Sequence, residues 1–385
     1  MHMTKVVLVS SLLPETNYSY FLSRDLSKEV SSLVVYTDKN PENKKLSGCG
    51  DVKLVWDKNL LYIPQIISQL IKDKPDVIHI QHEINMYGGV DTAVAFPLLL
   101  LLCKLTGTKV VTTVHAVVDP AWVTTSFVNL FRGQDSKIPP FALKLFFNYL
   151  YKSIGLFSDK LIVHTNLLKK ILVDTYGISA GKILVIPHGV QKLQLEDTRH
   201  DNYFCYLGYL VKRKGLENLL IGFGKFLDTN PQSGFKLVLA GGPISGQEFA
   251  LDELKGLVEK ANLQDKVVFT GFLSEKEIAQ YFKHAYAVAI PSVISIAASG
   301  PFALAMSYGK CVLASKIGNF EEEIRDNVDG ILVPDDKWDS AFTFVYKNLA
   351  KVKSIESKVV EKARARQWDR IAKLHVGVYE QLSAR

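Results

Sequence analysis

The sequence predicts an α/β protein built as two doubly wound parallel-sheet domains in tandem, and three observations carry that prediction. The chain has 385 residues, more than one ordinary core uses, and roughly two domains of 150–200 residues are expected. Short β-branched runs alternate with helix-period patterns from end to end, as strand–helix–strand crossovers require. That alternation stops once, at a polar stretch, and then starts afresh.

In the first half, KVVLVS (5–10), SLVVYT (32–37), VKLVW (52–56), DVIHI (76–80), KVVTTV (109–114), KLIVHT (160–165) and KILVIP (182–187) are apolar enough to be buried on both faces. Such runs mark parallel strands. Between them Ile63, Ile66, Ile67, Leu70 and Ile71 recur at i, i+3, i+4, i+7 and i+8, one face of a helix. AVAFPLLLLLCKL (93–105) is too short to span a membrane and reads as a helix buried on the sheet. The polar QKLQLEDTRHDN (191–202) is the expected linker. A second set of strands follows: YFCYLG (203–208), FKLVLAGG (235–242), KVVFTG (266–271), YAVAIPS (286–292) and KCVLAS (310–315). The expected units are therefore a domain over 1–190, the linker, a second domain over 203–366, and a last helical segment, 367–385, packed across the junction. Ligands of such sheets bind beyond the carboxyl ends of the strands, so function is sought in the cleft between the two domains.

Composition narrows the class. With 48% hydrophobic and 22% charged residues the chain is globular, and its net charge of +7 fits anionic ligands or an anionic membrane surface, though solubility alone explains it as well. The four cysteines, Cys49, Cys103, Cys205 and Cys311, lack paired spacing, so neither a disulfide framework nor a zinc site is expected and a cytoplasmic setting is. The first strand is followed by LLPETNYSY rather than a dinucleotide-binding glycine loop, which argues against a nicotinamide enzyme. No metal-ligand spacing stands out, and no nucleic-acid partner is expected.

Four stretches carry candidate chemistry. LGYLVKRKGLENLL (207–220) sets Lys212, Arg213 and Lys214 before Gly215 at a helix start, where an anion would meet both charge and helix dipole; a solvated turn is the plainer reading. ISIAASGPFALAMSYGK (294–310) offers Ser299 as a helix cap and Gly300 as a close-approach residue for phosphate. His115 follows an apolar strand and is either a cleft histidine for a sugar hydroxyl or a satisfied core histidine. His82 and Glu83 follow another buried strand; Glu83 either orients His115, meets an acceptor, or caps its own loop. Asp119 precedes a proline and reads as a turn former, and VPDDKWD (333–339) as an acidic surface turn.

Taken together, these segments resemble the retaining glycosyltransferases of the GT-B fold, family 4. LGYLVKRKGLENLLIGF, KVVFTGFLSEKEIAQYFKHAYAVAIPS, ALAMSYGKCVLASKIGNFEEEIRDNVDGILVP and DKLIVHTNLLKKILVDTYGISAGKILVIPHGV each resemble a family segment, in the family's order. VIHIQHEINMYGG and VTTVHA resemble a Gln-His-Glu subgroup. The resemblance implies a nucleotide-sugar donor, such as a GDP- or UDP-hexose, held by the second domain without a further cofactor or metal. It also implies a glycan or lipid-linked acceptor on the first domain. Lys214 matches the lysine at the donor diphosphate, with Arg213 beside it, and His115 the histidine near the transferred sugar. Gly208, Gly241, Gly242, Ser299, Gly300, Pro301 and Leu304 fall on the donor side; Asn17, His82 and Glu83 fall on the acceptor side. The sequence departs from the family where two glutamates are usual, at Ile296 and Leu304, and where an arginine is usual, at Tyr209; Thr16 and Asn17 replace the first glycine-rich turn.

The expected reaction is hexose transfer with retention of configuration, the leaving diphosphate taking the acceptor proton. The alternative is an inactive homologue that binds or partners. A nucleotide-sugar epimerase is a third and poorer fit, since the donor loop lacks carboxylates. IPPFALKLFFNYLYKSIGLF (138–157), aromatic and dotted with Lys144 and Lys152, is a candidate for peripheral membrane contact as well as an ordinary sheet-covering helix.

Overall fold

The computed structural model describes residues 4–12, 18–45, 47–132 and 136–383. The first sheet holds β1 (Lys5–Val9), β2 (Ser32–Asp38), β3 (Asp51–Trp56), β4 (Val77–His82), β5 (Lys109–Val114), β6 (Lys160–Val163) and β7 (Ile183–Val185) in the order β3-β2-β1-β4-β5-β6-β7. The second holds β8 (Tyr203–Leu207), β9 (Lys236–Ala240), β10 (Val267–Gly271), β11 (Ala287–Ile290), β12 (Val312–Ser315) and β13 (Ile331–Val333) in the order β10-β9-β8-β11-β12-β13. Every strand pairing is parallel. The strand order reverses between β1 and β4 and between β8 and β11, so each sheet opens a crevice at the carboxyl end of its central pair.

The apolar runs form these strands because both faces are covered. Val6 to Val9 are buried throughout, their side chains divided between two cores on opposite faces of the first sheet. Three expectations need correction. The strand expected over 160–165 stops at Val163, because Thr165 turns out to cap the helix Asn166–Asp174 by accepting from Leu168 N. The second sheet gains β13, three residues long and too short for periodicity to reveal. The helix Val90–Leu105 is buried on one side only: Phe96, Leu99, Leu100 and Cys103 face the sheet, while Leu98 and Leu105 are exposed.

Residues 191–202 are not a free linker. Gln194 N donates to Ser307 O, Arg199 N to Lys283 O and Asp201 N to His284 O, which ties the segment to the second domain. The acidic turn at 333–339 is exposed at Asp335 and Asp336, but its flanks Val333 and Trp338 are core residues. All four cysteines are buried.

The chain crosses between domains twice, and the crossings are laced to each other. Val190 N donates to Arg366 O at 2.7 Å, and Val190 bridges Gln367. The helix Trp368–Ser383 then returns to the first domain, where Ile371, Ala372 and Tyr379 join the core beside Leu22 and Leu26 of the helix Tyr18–Leu26. Gly189 is the contact point: a Cβ there would lie 2.4 Å from the Trp368 ring. Gly189→Ala should therefore destabilise the chain by about 1–3 kcal/mol through overpacking. Gly256→Ala, at a half-buried helix position with nothing within 4 Å of the added Cβ, should instead stabilise by roughly 0.5–1 kcal/mol; urea unfolding of the two variants measures both.

Candidate functional site

The two domains meet across the cleft through backbone as well as side chains. Beyond β5, Val117 N donates to Ile296 O at 2.9 Å and Ala116 bridges Ala297. The Ile294 and Ile296 side chains pack against the first domain's core. Position 296, where the family resemblance expects a glutamate, is thus filled by an apolar contact between domains. Further along, Glu322 accepts from Asn166 N, Asn166 Nδ2 and Leu167 N, so a carboxylate from the second domain caps a helix of the first. Asn319 completes this seam, with Oδ1 accepting from Thr165 Oγ1 and Nδ2 donating to Ala297 O.

The basic turn Lys212–Lys214 ends at Gly215, whose positive φ of 65° lets the chain reverse directly into the helix Leu216–Thr229. Its three cations separate. Lys212 turns away from the cleft, pairing with Glu253 at 3.1 Å and lying over the Phe249 ring, which removes it from the anion site expected of all three. Arg213 lies over the Phe131 ring of the helix Thr125–Arg132 and feels the Glu83 carboxylate across the cleft. Glu83 keeps an exposed face, yet the protein packed around its carboxyl raises it above its usual range, and Arg213 opposes that rise. Lys214 is half-buried and has no ion-pair partner among the described residues. Burial, then neighbouring Arg213, pulls its ammonium below the usual lysine range. The turn is anchored at the start of the donor loop, where Val293 N donates to Arg213 O and Gly215 packs against Pro291.

Ser299 caps the helix Gly300–Ser307 by accepting from Phe302 N. Gly300 is exposed, with nothing within 4 Å of where a Cβ would stand, so no neighbour among the described residues demands a glycine there. The other glycines have internal reasons. A Cβ on Gly241 would lie 2.0 Å from Gly208 O, one on Gly242 2.6 Å from the Phe272 ring, and one on Gly208 2.7 Å from Tyr206 Oη. These three close the carboxyl ends of β8 and β9 against each other.

His115 sits in a cluster of imidazoles around Tyr18. Its Nε2 pairs with Gln81 Oε1 at 2.8 Å and its Nδ1 with His164 Nε2 at 3.1 Å. Gln81 continues to His79, and His79 to Tyr379 of the returning helix. The residue that orients His115 is Gln81, not Glu83, and both ring nitrogens are engaged inside the protein. The Tyr18 ring stands 4.8 Å from His115, 5.1 Å from His164, 5.3 Å from His188 and 4.9 Å from Trp368. His82 is buried beneath Phe96 with neither ring nitrogen partnered among the described residues, rather than open to the cleft. Asp119 is the turn former expected, accepting from Ala121 N. Asn17 and Thr16 lie outside the described residues.

A cavity of about 650 Å³ opens between the helices Tyr18–Leu26 and Gly300–Ser307. It takes in Gly300, Pro301 and Leu304, but neither Lys214 nor His115. Arg24, Gln194, Lys276, Leu207 and Trp368 also line it, and none was singled out beforehand as a site residue. Leu207, at the end of β8, places the cavity at the second sheet's switch point.

Two family profiles match in tandem: Glycosyltransferase Family 4 over residues 22–192 and Glycosyl transferases group 1 over residues 191–360. The chain belongs to the family-4 glycosyltransferases of the GT-B fold. It is 26% identical over 191 residues to D-inositol 3-phosphate glycosyltransferase of Acidothermus cellulolyticus, a match covering 46% of this chain and 42% of that protein. The chain thus spans under half the length of that curated relative. Its fold is that of sucrose-phosphate synthase from Thermosynechococcus elongatus (TM-score 0.76, 18% identity, 99% of each chain). It is also that of Anabaena Alr3699/HepE in complex with UDP-glucose (TM-score 0.74, 15% identity, 99% of this chain and 100% of that one).

Burial holds the cluster neutral, with His82, His188 and His375 pushed down to about 4 and His164 to about 3. The denatured chain takes up protons near the ordinary value of 6.5 that these native imidazoles refuse. Their contribution is therefore intact above that pH and is lost as the solution is acidified toward about 4, at about 1.4 kcal/mol per pH unit for each group. Tm should fall clearly between about pH 7 and about pH 5, and His82→Phe should make that slope shallower, as calorimetric scans at the two pH values would read.

Proposed function

We propose that the chain transfers a hexose from a nucleotide-diphosphate sugar to a sugar, glycan or lipid-linked acceptor, with retention of configuration. The observation that carries this reading is Lys214: a half-buried cation, its charge disfavoured by burial, with no carboxylate partner among the described residues. A desolvated charge left unpaired costs free energy, and an anionic ligand offsets that cost. The open N-terminus at Ser299–Gly300 suits the same anion. UDP-glucose, named with the HepE structure, is the natural first donor to test.

Cleaving the donor's glycosidic bond leaves negative charge on the diphosphate. In this reading Lys214, Arg213 and the amides at Gly300 stabilise that charge. On the same face, the leaving phosphate oxygen takes the acceptor's proton, so no protein nucleophile is required. His115, held through both ring nitrogens, acts as a fixed wall beside the sugar, and Glu83 faces the acceptor.

A second reading, an inactive homologue that only binds, is favoured by the apolar residues at 296 and 304. Acceptor-dependent nucleotide release from a panel of sugar nucleotides separates the two, because a binder releases none. Lys214→Ala should lower turnover by roughly a hundredfold or more without lowering the Tm of the ligand-free chain, since the lost charge was unpaired. Turnover at the wild-type rate in that variant rules out the assigned role.

A further inference from the structure

Three helices lie side by side over one face of the first sheet: Tyr62–Asp73, Val90–Leu105 and Pro140–Phe157. Tyr149 of the third donates through its hydroxyl to Val94 O of the second. Their inner sides supply Ile66, Leu99 and Leu150 to the core. A helix layer facing water normally presents a polar outer side, and this one does not. Leu61 and Ile71 on the first helix and its approach, Leu98 and Leu105 on the second, and Phe141 and Leu145 on the third are 47–72% exposed. Between the first two helices runs a groove of about 680 Å³ whose walls are almost wholly aliphatic. Contiguous exposed apolar surface of this kind marks a docking face.

The charges on the face select what docks. Along the outer side of Pro140–Phe157, Lys144 and Lys152 alternate with Phe141, Leu145 and Leu156, and the helix contains no acidic residue. Lys72 adds positive charge at the end of the first helix, whereas Lys104 at the end of the second is paired with Asp159 at 3.6 Å. Asp91 sits in a first turn, where a helix dipole favours it, and Asp73 is held by Lys53 and Tyr36. A second copy of the same face would set lysine against lysine, because a two-fold interface pairs each patch with itself. An anionic lipid surface instead gives the lysines phosphates to meet while the apolar side chains enter the acyl boundary. No helix among the described residues is long and apolar enough to cross a membrane.

We propose that this face docks the chain on an anionic bilayer, with Leu98, Phe141 and Leu145 at the depth of the acyl boundary and Lys144 and Lys152 at headgroup phosphates. The helices Val90–Leu105 and Pro140–Phe157 both begin on the side of the sheet where β4 and β5 end, so the docked face reaches the rim of the cleft. The inference stands apart from the donor reading, since it requires no sugar nucleotide.

Flotation of the full chain with vesicles of phosphatidylcholine alone, or mixed with phosphatidylglycerol, tests it. The chain should float with the mixed vesicles, lose association as salt rises, and stay unbound with phosphatidylcholine alone. Lys144→Glu with Lys152→Glu, both exposed changes, should weaken partitioning by about thirtyfold or more, and Leu98→Glu should weaken it independently. Circular dichroism checks that each variant is folded. Absence of flotation with the mixed vesicles overturns the proposal. So does equal binding to neutral vesicles, binding that survives the lysine pair, or a lipid-free dimer by sedimentation that Leu98→Glu dissociates.

Discussion

The geometry of this molecule rests on one constraint: the chain passes between its domains twice, and the two passages are bound to each other. Val190 is hydrogen-bonded to Arg366, and Gly189 leaves room for Trp368 alone. Because both strands of the hinge are fixed at one place, the carboxyl ends of the two sheets face each other, and the cleft exists. Ion pairs behind the second passage stiffen it, with Arg366 on Glu323 at 2.6 Å and Lys362 on Asp329. Both carboxylates are buried; losing Arg366 would strand the charge of Glu323 in the interior, whereas Asp329 is also held by Arg325 at 2.7 Å.

Around that hinge the two domains contribute different chemistry. The first supplies a neutral, hydrogen-bonded imidazole cluster built about Tyr18, and the second supplies cations and helix amides. Burial explains both halves. It keeps the histidines uncharged, and it disfavours the charge on Lys214, which has no ion-pair partner among the described residues. In the proposed reading the neutral cluster would face the sugar and the cations the diphosphate.

The doubly wound sheets were legible because parallel strands are apolar on both faces and leave continuous runs in the chain. Strand β13 was not, since Ile331–Val333 is no longer than a turn. Of the site, the basic turn and the cap at Ser299 could be placed from local pattern alone. Yet local pattern could not tell Lys212 from Lys214: only packing shows that Glu253 claims the first and that no carboxylate among the described residues claims the second. The roles of Gln81 and His164 were invisible for a related reason. Each meets His115 only because β4, β5 and β6 lie adjacent in the sheet. The long apolar helix misled in the opposite direction, since the eye takes an unbroken leucine run for core, whereas half of it faces outward.

The contact at Ile296 has a mechanical meaning. Its side chain belongs physically to the first domain's core while its backbone forms the second domain's loop. Separating the lobes strips that isoleucine of its cover and breaks the bond from Val117, at a cost of order 1–2 kcal/mol for the apolar surface alone. Any opening of the cleft must therefore be coupled to the conformation of the loop that carries Ile296, because one residue serves both lobes.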